Sequence, residues 1–288
     1  MLTALPLQAD SPAGTELRRN AGRGERVAWQ LTGTRQCTGI WTGGQRRPCP
    51  VQAALPLEGT DPQCSECARN DRGRQIARDV GLGDDGRDYT LYLAWFGTGL
   101  VKVGLTATDR GSDRLLEQGA IAWTPAATGP YVPIRRAERL TASTGLARER
   151  IGSNAKLTAW WNLELPGVRA RQLSEAHDRI GRAVTWPEQL NRTRCSVTDH
   201  AEGFGLSDRT PAYSEATAIS ASAVIAGTIR VTAGHWIMLD TPDGPLLADM
   251  RRIAGCQFVP AGPPARPAGL SLVFRSPPRA RDEQSALF

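Results

Sequence analysis

The chain has 288 residues, 40% hydrophobic and 22% charged, the balance of a soluble globular protein of about two packed units. No run approaches the roughly 20 apolar residues that a membrane-spanning helix needs, so no membrane partner is expected. The formal net charge is +6 and the pI about 9.3. A basic balance fits either nucleic-acid affinity or a solvated arginine-rich surface. Arginine carries nearly all of the positive charge, and the only lysines are Lys102 and Lys156. The N-terminus has neither the basic start nor the apolar run of a secretory signal, so the expected compartment is the cytoplasm.

Residues 1–26 are polar, rich in Gly and Arg, and read as a loose segment. Residues 27–33 alternate enough for one strand. Residues 34–79 have little apolar periodicity but contain four cysteines. So irregular a stretch needs something other than a hydrophobic core to order it. Residues 81–88 form a turn-rich linker. Next come β-formers from Tyr89 to Phe96, a tight connection at Gly97-Thr98-Gly99, and a second strand-like run from Leu100 to Thr106. Two such runs joined by a short glycine loop predict a hairpin. Residues 109–118 turn helical, with Leu115 and Leu116 toward the sheet and Arg114, Glu117 and Gln118 along an edge. Gly119 is the expected stop.

Ala137, Leu140, Thr144, Ala147 and Ile151 recur near 3.6 residues and predict an amphipathic helix within 134–151, with a break at Gly145. A short helix is expected at 154–161. A clearer one runs over 170–184, with Leu173, Ala176, Ile180 and Ala183 on one face. Trp186-Pro187 ends it. Beyond Cys195 the character is β-rich: strands at 218–232, 235–240, 246–253 and 256–260 read as a meander. A proline-rich spacer over 260–267 and a last strand at 270–274 follow. The fold class is α+β. The expected map is a loose segment (1–26), a zinc-binding region (27–80), a central α/β unit (86–192), a β-rich unit (196–275) and a disordered tail (276–288).

The first four cysteines follow the pattern Cys37-x11-Cys49-x14-Cys64-x2-Cys67. A Cys-x2-Cys pair brings two thiolates to one ion from a tight turn. A tetrahedral zinc takes four such ligands and supplies the ordering energy that the segment lacks. The alternatives are free thiols, or disulfides in an exported protein. Four sulfur ligands leave no open position for water, so the expected zinc is structural. Cys195 and Cys256 read as core residues.

Tyr92 lies in the first strand of the hairpin, Lys102 and Gly104 in the second, Arg114 opens the helix, and Glu138 begins a later one. A tyrosine, an arginine and a carboxylate on one face would suit phosphodiester cleavage: carboxylate on a divalent metal, arginine on phosphate, tyrosine or a metal-bound water moving the proton. Each also has a plain structural role. Tyr92 can pack as a strand aromatic, Arg114 can pair with Glu117, and Glu138 can sit in a first helical turn favoured by the dipole.

These residues resemble the GIY-YIG nuclease core. Thr90-Leu91-Tyr92 stands where Gly-Ile-Tyr would be, and Lys102-Val103-Gly104 where Tyr-Ile-Gly would be. More closely, Leu91 to Ala94, Leu100 to Thr106 and Arg114 to Ala120 look like the bacterial family called domain of unknown function 2797. The close motif match covers about a tenth of the chain, and the order of segments fits most of residues 27–275. The resemblance implies a GIY-YIG-like α/β unit that binds or processes DNA or RNA. It implies catalytic roles for Tyr92, Lys102, Arg114 and Glu138, magnesium or manganese on Glu138, and nucleic-acid contacts from Lys102, Arg110, Arg114 and Gln118. Lys102 replaces the second tyrosine of the nuclease pattern, and a lysine still binds phosphate as a point charge. Glu149 competes with Glu138 for the metal. Gln118 either holds structure or bonds a ligand. The alternative function is a non-catalytic zinc-containing module that binds nucleic acid or protein.

Overall fold

The computed structural model describes residues 21–42, 45–77, 86–207, 209–262 and 265–277. Most of the expected loose segment, linker and tail lies outside the described residues.

The first strand, β1 (Arg26–Thr32), is followed by β2 (Arg35–Gln36), β3 (Ile40–Thr42), β4 (Gln45–Arg47) and β5 (Ala54–Leu55). Two short helices close the segment, α1 (Ser65–Asn70) and α2 (Arg72–Ala77). Among the described residues β2 pairs only with β5 and β3 only with β4, so the cysteine-bearing stretch is held by two-stranded ribbons. Its buried cluster is Cys37, Cys49 and Cys67 with a few partly buried apolar neighbours.

The predicted hairpin is β6 (Asp88–Trp95) and β7 (Val101–Ala107), in register Tyr92↔Gly104 and Ala94↔Lys102. α3 (Asp113–Gln118) follows, and Gly119 ends it in the left-handed conformation at φ +66. β8 (Ala122–Pro130) then pairs with the other edge of β6. The alternation of β6 divides the unit into two layers. Tyr89, Leu91, Leu93 and Trp95 enter the large core with Ile134, Ala137, Leu173 and Ile180. Tyr92, Ala94 and Phe96 pack on the opposite face with Leu115 and Ala120. The helices of the large core are α4 (Tyr131–Ser143), α5 (Ser153–Ala159) and α6 (Pro166–Ala183). α4 stops just before Gly145 (φ +72), the break expected there. α6 begins with Pro166 at its first turn, where a missing N–H costs nothing.

The short strands β9 (Asn191–Arg192) and β10 (Thr198–Asp199) both pair with β8, and α7 (Ala201–Phe204) follows. The β-rich end holds β11 (Tyr213–Ala233), β12 (Trp236–Thr241), β13 (Gly244–Asp249), β14 (Gln257–Pro260) and β15 (Ala268–Arg275). Two features differ from the sequence expectation. β11 is longer at its start, and β13 returns to pair parallel with the first residues of β11 (Ser214↔Leu246), so β11, β12 and β13 form a closed circuit rather than a simple meander. In addition, β1 does not stay with the cysteines. It inserts between β11 and β14, pairing Arg26↔Thr228 and Thr32↔Gln257. The reason is burial: Val27 and Leu31 share one strand face and enter the apolar cluster of the C-terminal sheet.

Arg35 joins these parts. The residue is 1% exposed and, among the described residues, has no carboxylate in hydrogen-bonding contact. It donates instead to five carbonyls: Pro56 (3.0 Å), Gly59 (2.8 Å), Asp61 (2.8 Å), Arg251 (3.0 Å) and Ala254 (2.9 Å). One buried cation thus ties the loop before the Cys64 turn to the turn after β13. Burial lowers its pKa, against the pull of Cys256 and Asp61.

Candidate functional sites

The four cysteines meet. Their sulfur atoms all lie within 4.8 Å of one another, and three of the four residues are buried. Zn–S bonds of about 2.3 Å give a tetrahedron with edges near ~3.8 Å, which a group this compact fits. Sequence spacing did not show the convergence, because Cys37 and Cys49 arrive from different ribbons. The local turns are built for sulfur. The Cys37 Sγ accepts the N–H groups of Cys64 (3.2 Å) and Gly39 (3.5 Å). The Cys64 Sγ caps α1 by accepting the N–H of Cys67 (3.5 Å). Gly39 sits at φ +76, and a Cβ there would strike the Arg47 carbonyl and lie 2.9 Å from the Cys49 N. The backbone N–H groups of Ala53 and then Val51 bring the Cys49 thiol down to about 7, whereas burial raises Cys37. The group could hold a metal such as zinc. Cys256 is buried as expected, and the half-buried Cys195 lies against the hydroxyls of Ser174 (3.4 Å) and Thr124 (3.6 Å).

The second site lies on the α3 face of the central sheet. The Tyr92 ring is 1% exposed, and its hydroxyl accepts from Gln118 Nε2 (2.9 Å) and from Lys102 Nζ (3.4 Å). Tyr92 and Gly104 are cross-strand partners, and the glycine makes the room. A Cβ on Gly104 would lie 2.6 Å from both the Tyr92 Cζ and the Lys102 Nζ. Gln118 also donates to the Arg114 carbonyl (3.2 Å), one helical turn back.

Lys156, which no motif marked, completes the group from α5. Its ammonium donates to the Gln118 carbonyl (2.8 Å) and sits 4.1 Å from the centre of the Phe96 ring. The residue is only 8% exposed. Burial first, then the cations Lys102, Arg251 and Arg114, lower its pKa to about 8. A composition signal was available. In a chain that uses arginine almost everywhere, both lysines stand at this one place.

The other residues singled out by sequence are placed as follows. Arg114 is half-exposed and lies 3.8 Å from Glu117; Arg110 lies 2.6 Å from the same carboxylate. Glu138 is 5% exposed and ion-paired with Arg135, one turn earlier on α4. Burial pushes its carboxyl up, against the pull of Arg135 and of Lys102. Among the described residues Glu138 belongs to no cluster of three or more metal-ligating side chains; the cysteine group is the one that forms. Glu149 acts on Glu138 only through its field.

The family model described as Protein of unknown function (DUF2797) matches residues 24–258. That span is most of the chain, and the chain belongs to this family. No curated protein and no solved structure matches it. No helix among the described residues is long and apolar enough to cross a membrane.

Proposed function

We propose that the protein binds nucleic acid through its phosphate backbone, using Lys102, Lys156 and Arg114 around Tyr92 and Gln118, with Arg110 beside them, and that zinc on Cys37, Cys49, Cys64 and Cys67 orders the N-terminal segment. The carrying observation is the meeting of cations. Lys102, Arg114 and Arg251 all depress Lys156, although Glu117 lies 3.8 Å from Arg114 and Asp249 is bonded to Arg251. Gathering like charges in a half-buried place opposes folding, and a bound polyanion reverses that cost. Tyr92 and Gln118 position the group: the phenol holds the Lys102 ammonium, and Gln118 links that phenol to Lys156 through its two ends.

Metal-dependent phosphodiester cleavage is the second reading. It is favoured by the Tyr92 hydroxyl sharing its lone pairs with a lysine and an amide, in a hairpin-and-helix unit that resembles the GIY-YIG pattern. It requires Glu138 to leave Arg135 for magnesium or manganese, and Tyr92 to become accessible. The buried tyrosine and the paired carboxylate support binding over chemistry.

Fluorescence anisotropy with labelled DNA and RNA at low salt tests the first reading. Binding should weaken in Lys102→Gln and Lys156→Gln. A third, protein-scaffold role is left if neither nucleic acid binds. Cleavage dependent on magnesium or manganese, and absent from Arg114→Ala and Glu138→Ala, would establish the second reading. Elemental analysis should give one zinc per chain, and a folded, metal-free protein would contradict the zinc assignment.

A further inference from the structure

A separate cleft of about 160 Å³ opens where α5, the end of β13 and the loop before the Cys64 turn come together. A single water needs roughly 10–15 Å³ of such space, so the cleft has room for a tetrahedral oxyanion. Its polar wall carries Thr60, Ser153, Asn154, Arg251 and Arg252. Two carboxylates also line it, Asp249 and Glu215. Both are already held. Asp249 accepts Arg251 through Nε (3.0 and 3.1 Å) and Nη2 (2.6 Å), and Glu215 accepts the Nε of Arg275 (2.8 Å). Two arginines line the cleft with them: Arg251 is taken up by Asp249, whereas Arg252 makes only a 3.5 Å contact to the Glu58 carbonyl and pairs with no carboxylate among the described residues. The Nε of Arg252 is buried and meets no acceptor among the described residues. Arg252 lines the cleft beside Arg251, and a guanidinium is a natural partner for an anion there.

The walls are also held in advance. The Arg35 guanidinium bonds the carbonyls of Gly59 and Asp61, on either side of Thr60, and that of Arg251. Two of the three walls of the cleft are therefore fixed by one buried group, which lowers the ordering cost of binding.

We infer that this cleft is a phosphate-binding site, taking a phosphate monoester or free phosphate between Arg251, Arg252 and the Ser153 and Asn154 side chains. The field of Arg251 also reaches Lys156, but the other side chains of the cleft are separate from the Lys102–Lys156 group, and the site stands whether or not that group binds a nucleic-acid backbone.

Titration calorimetry of the full chain with inorganic phosphate tests it. Saturable binding is expected, at least tenfold weaker in Arg252→Gln and unchanged in Arg171→Gln, an exposed position on α6. If Arg252→Gln does not fold, Asn154→Leu serves as the second variant and should also weaken binding. Oligonucleotides with a 5′-phosphate or a 5′-hydroxyl identify the source. A preference for the phosphorylated end that disappears in Arg252→Gln assigns the site to nucleic-acid termini. Equal affinity for both, with phosphate still bound, assigns it to small phosphorylated ligands. No saturable phosphate binding, or wild-type affinity in both Arg252→Gln and Asn154→Leu, overturns the inference. Neither result touches the backbone reading, whose test is the loss of oligonucleotide affinity in the lysine variants.

Discussion

Lys156 gives the sharpest physical test of the cationic site. Its pKa falls from 10.5 to about 8 in the fold, with burial the largest cause. Below pH 8 the ammonium is charged in both folded and unfolded chains, and the fold bears the full penalty. Between about pH 8 and 10.5 the unfolded chain holds the proton and the folded chain does not, so stability rises with pH. Above 10.5 the group contributes no further change. At about 1.4 kcal/mol per unit, the shift is worth roughly 3 kcal/mol in all, of which about 2–3 kcal/mol is recovered between pH 7 and pH 10. Lys156→Met lacks this titration but keeps a chain of similar length beside Phe96. Urea unfolding of both proteins from pH 7 to 10 should show wild type gaining about 2–3 kcal/mol on the variant, while titrations elsewhere cancel. Oligonucleotide affinity should fall over the same interval, because the bound anion needs the charged form. A stability difference flat within ~0.5 kcal/mol would refute the argument that this lysine is held against its charge.

Three other outcomes follow from named contacts. Gly104→Ala forces a Cβ onto Tyr92 and Lys102; overpacking of ~1–3 kcal/mol plus a lost hydrogen bond of ~1 kcal/mol should appear as a lower melting temperature and weaker oligonucleotide binding. Arg35→Met leaves five part-buried carbonyls without their donor and should cost about 3 kcal/mol in urea unfolding while weakening phosphate binding in the cleft. Chelation of metal, or Cys67→Ser, should lower the melting temperature and expose residues 34–77 to proteolysis; unchanged resistance in metal-free protein would contradict an ordering role.

What sequence revealed and what it hid divide along chain separation. The hairpin and α3 were legible because β-formers, the glycine turn and Gly119 act within a few residues of one another. The cysteine group was legible from chemistry, since four thiols in a segment without apolar periodicity need a common purpose, although 11- and 14-residue gaps do not predict proximity. The position of β1 was hidden because its partner begins some 200 residues later, and only Val27 and Leu31 hint at a buried face. Lys156 was missed because α5 is short and carries no motif, yet the rarity of lysine marked it. Gln118, left open between structural and binding roles, bonds Tyr92 directly. Glu138 falls on the expected helix but in its middle rather than its first turn, because the helix starts at Tyr131, and its one-turn neighbour Arg135 claims the carboxylate, an i,i+3 pairing visible in the sequence once the helix start is known.

The central claim is that Lys102 and Lys156 contact phosphates, and the salt dependence of binding tests it most directly. The logarithm of the association constant for a labelled duplex should fall linearly with the logarithm of salt concentration, at about −0.9 per phosphate contacted. Lys102→Gln and Lys156→Gln should each reduce that slope by about one contact and weaken binding uniformly across sequences. Absence of binding to either duplex or single strand, or variant slopes equal to wild type, would contradict the account.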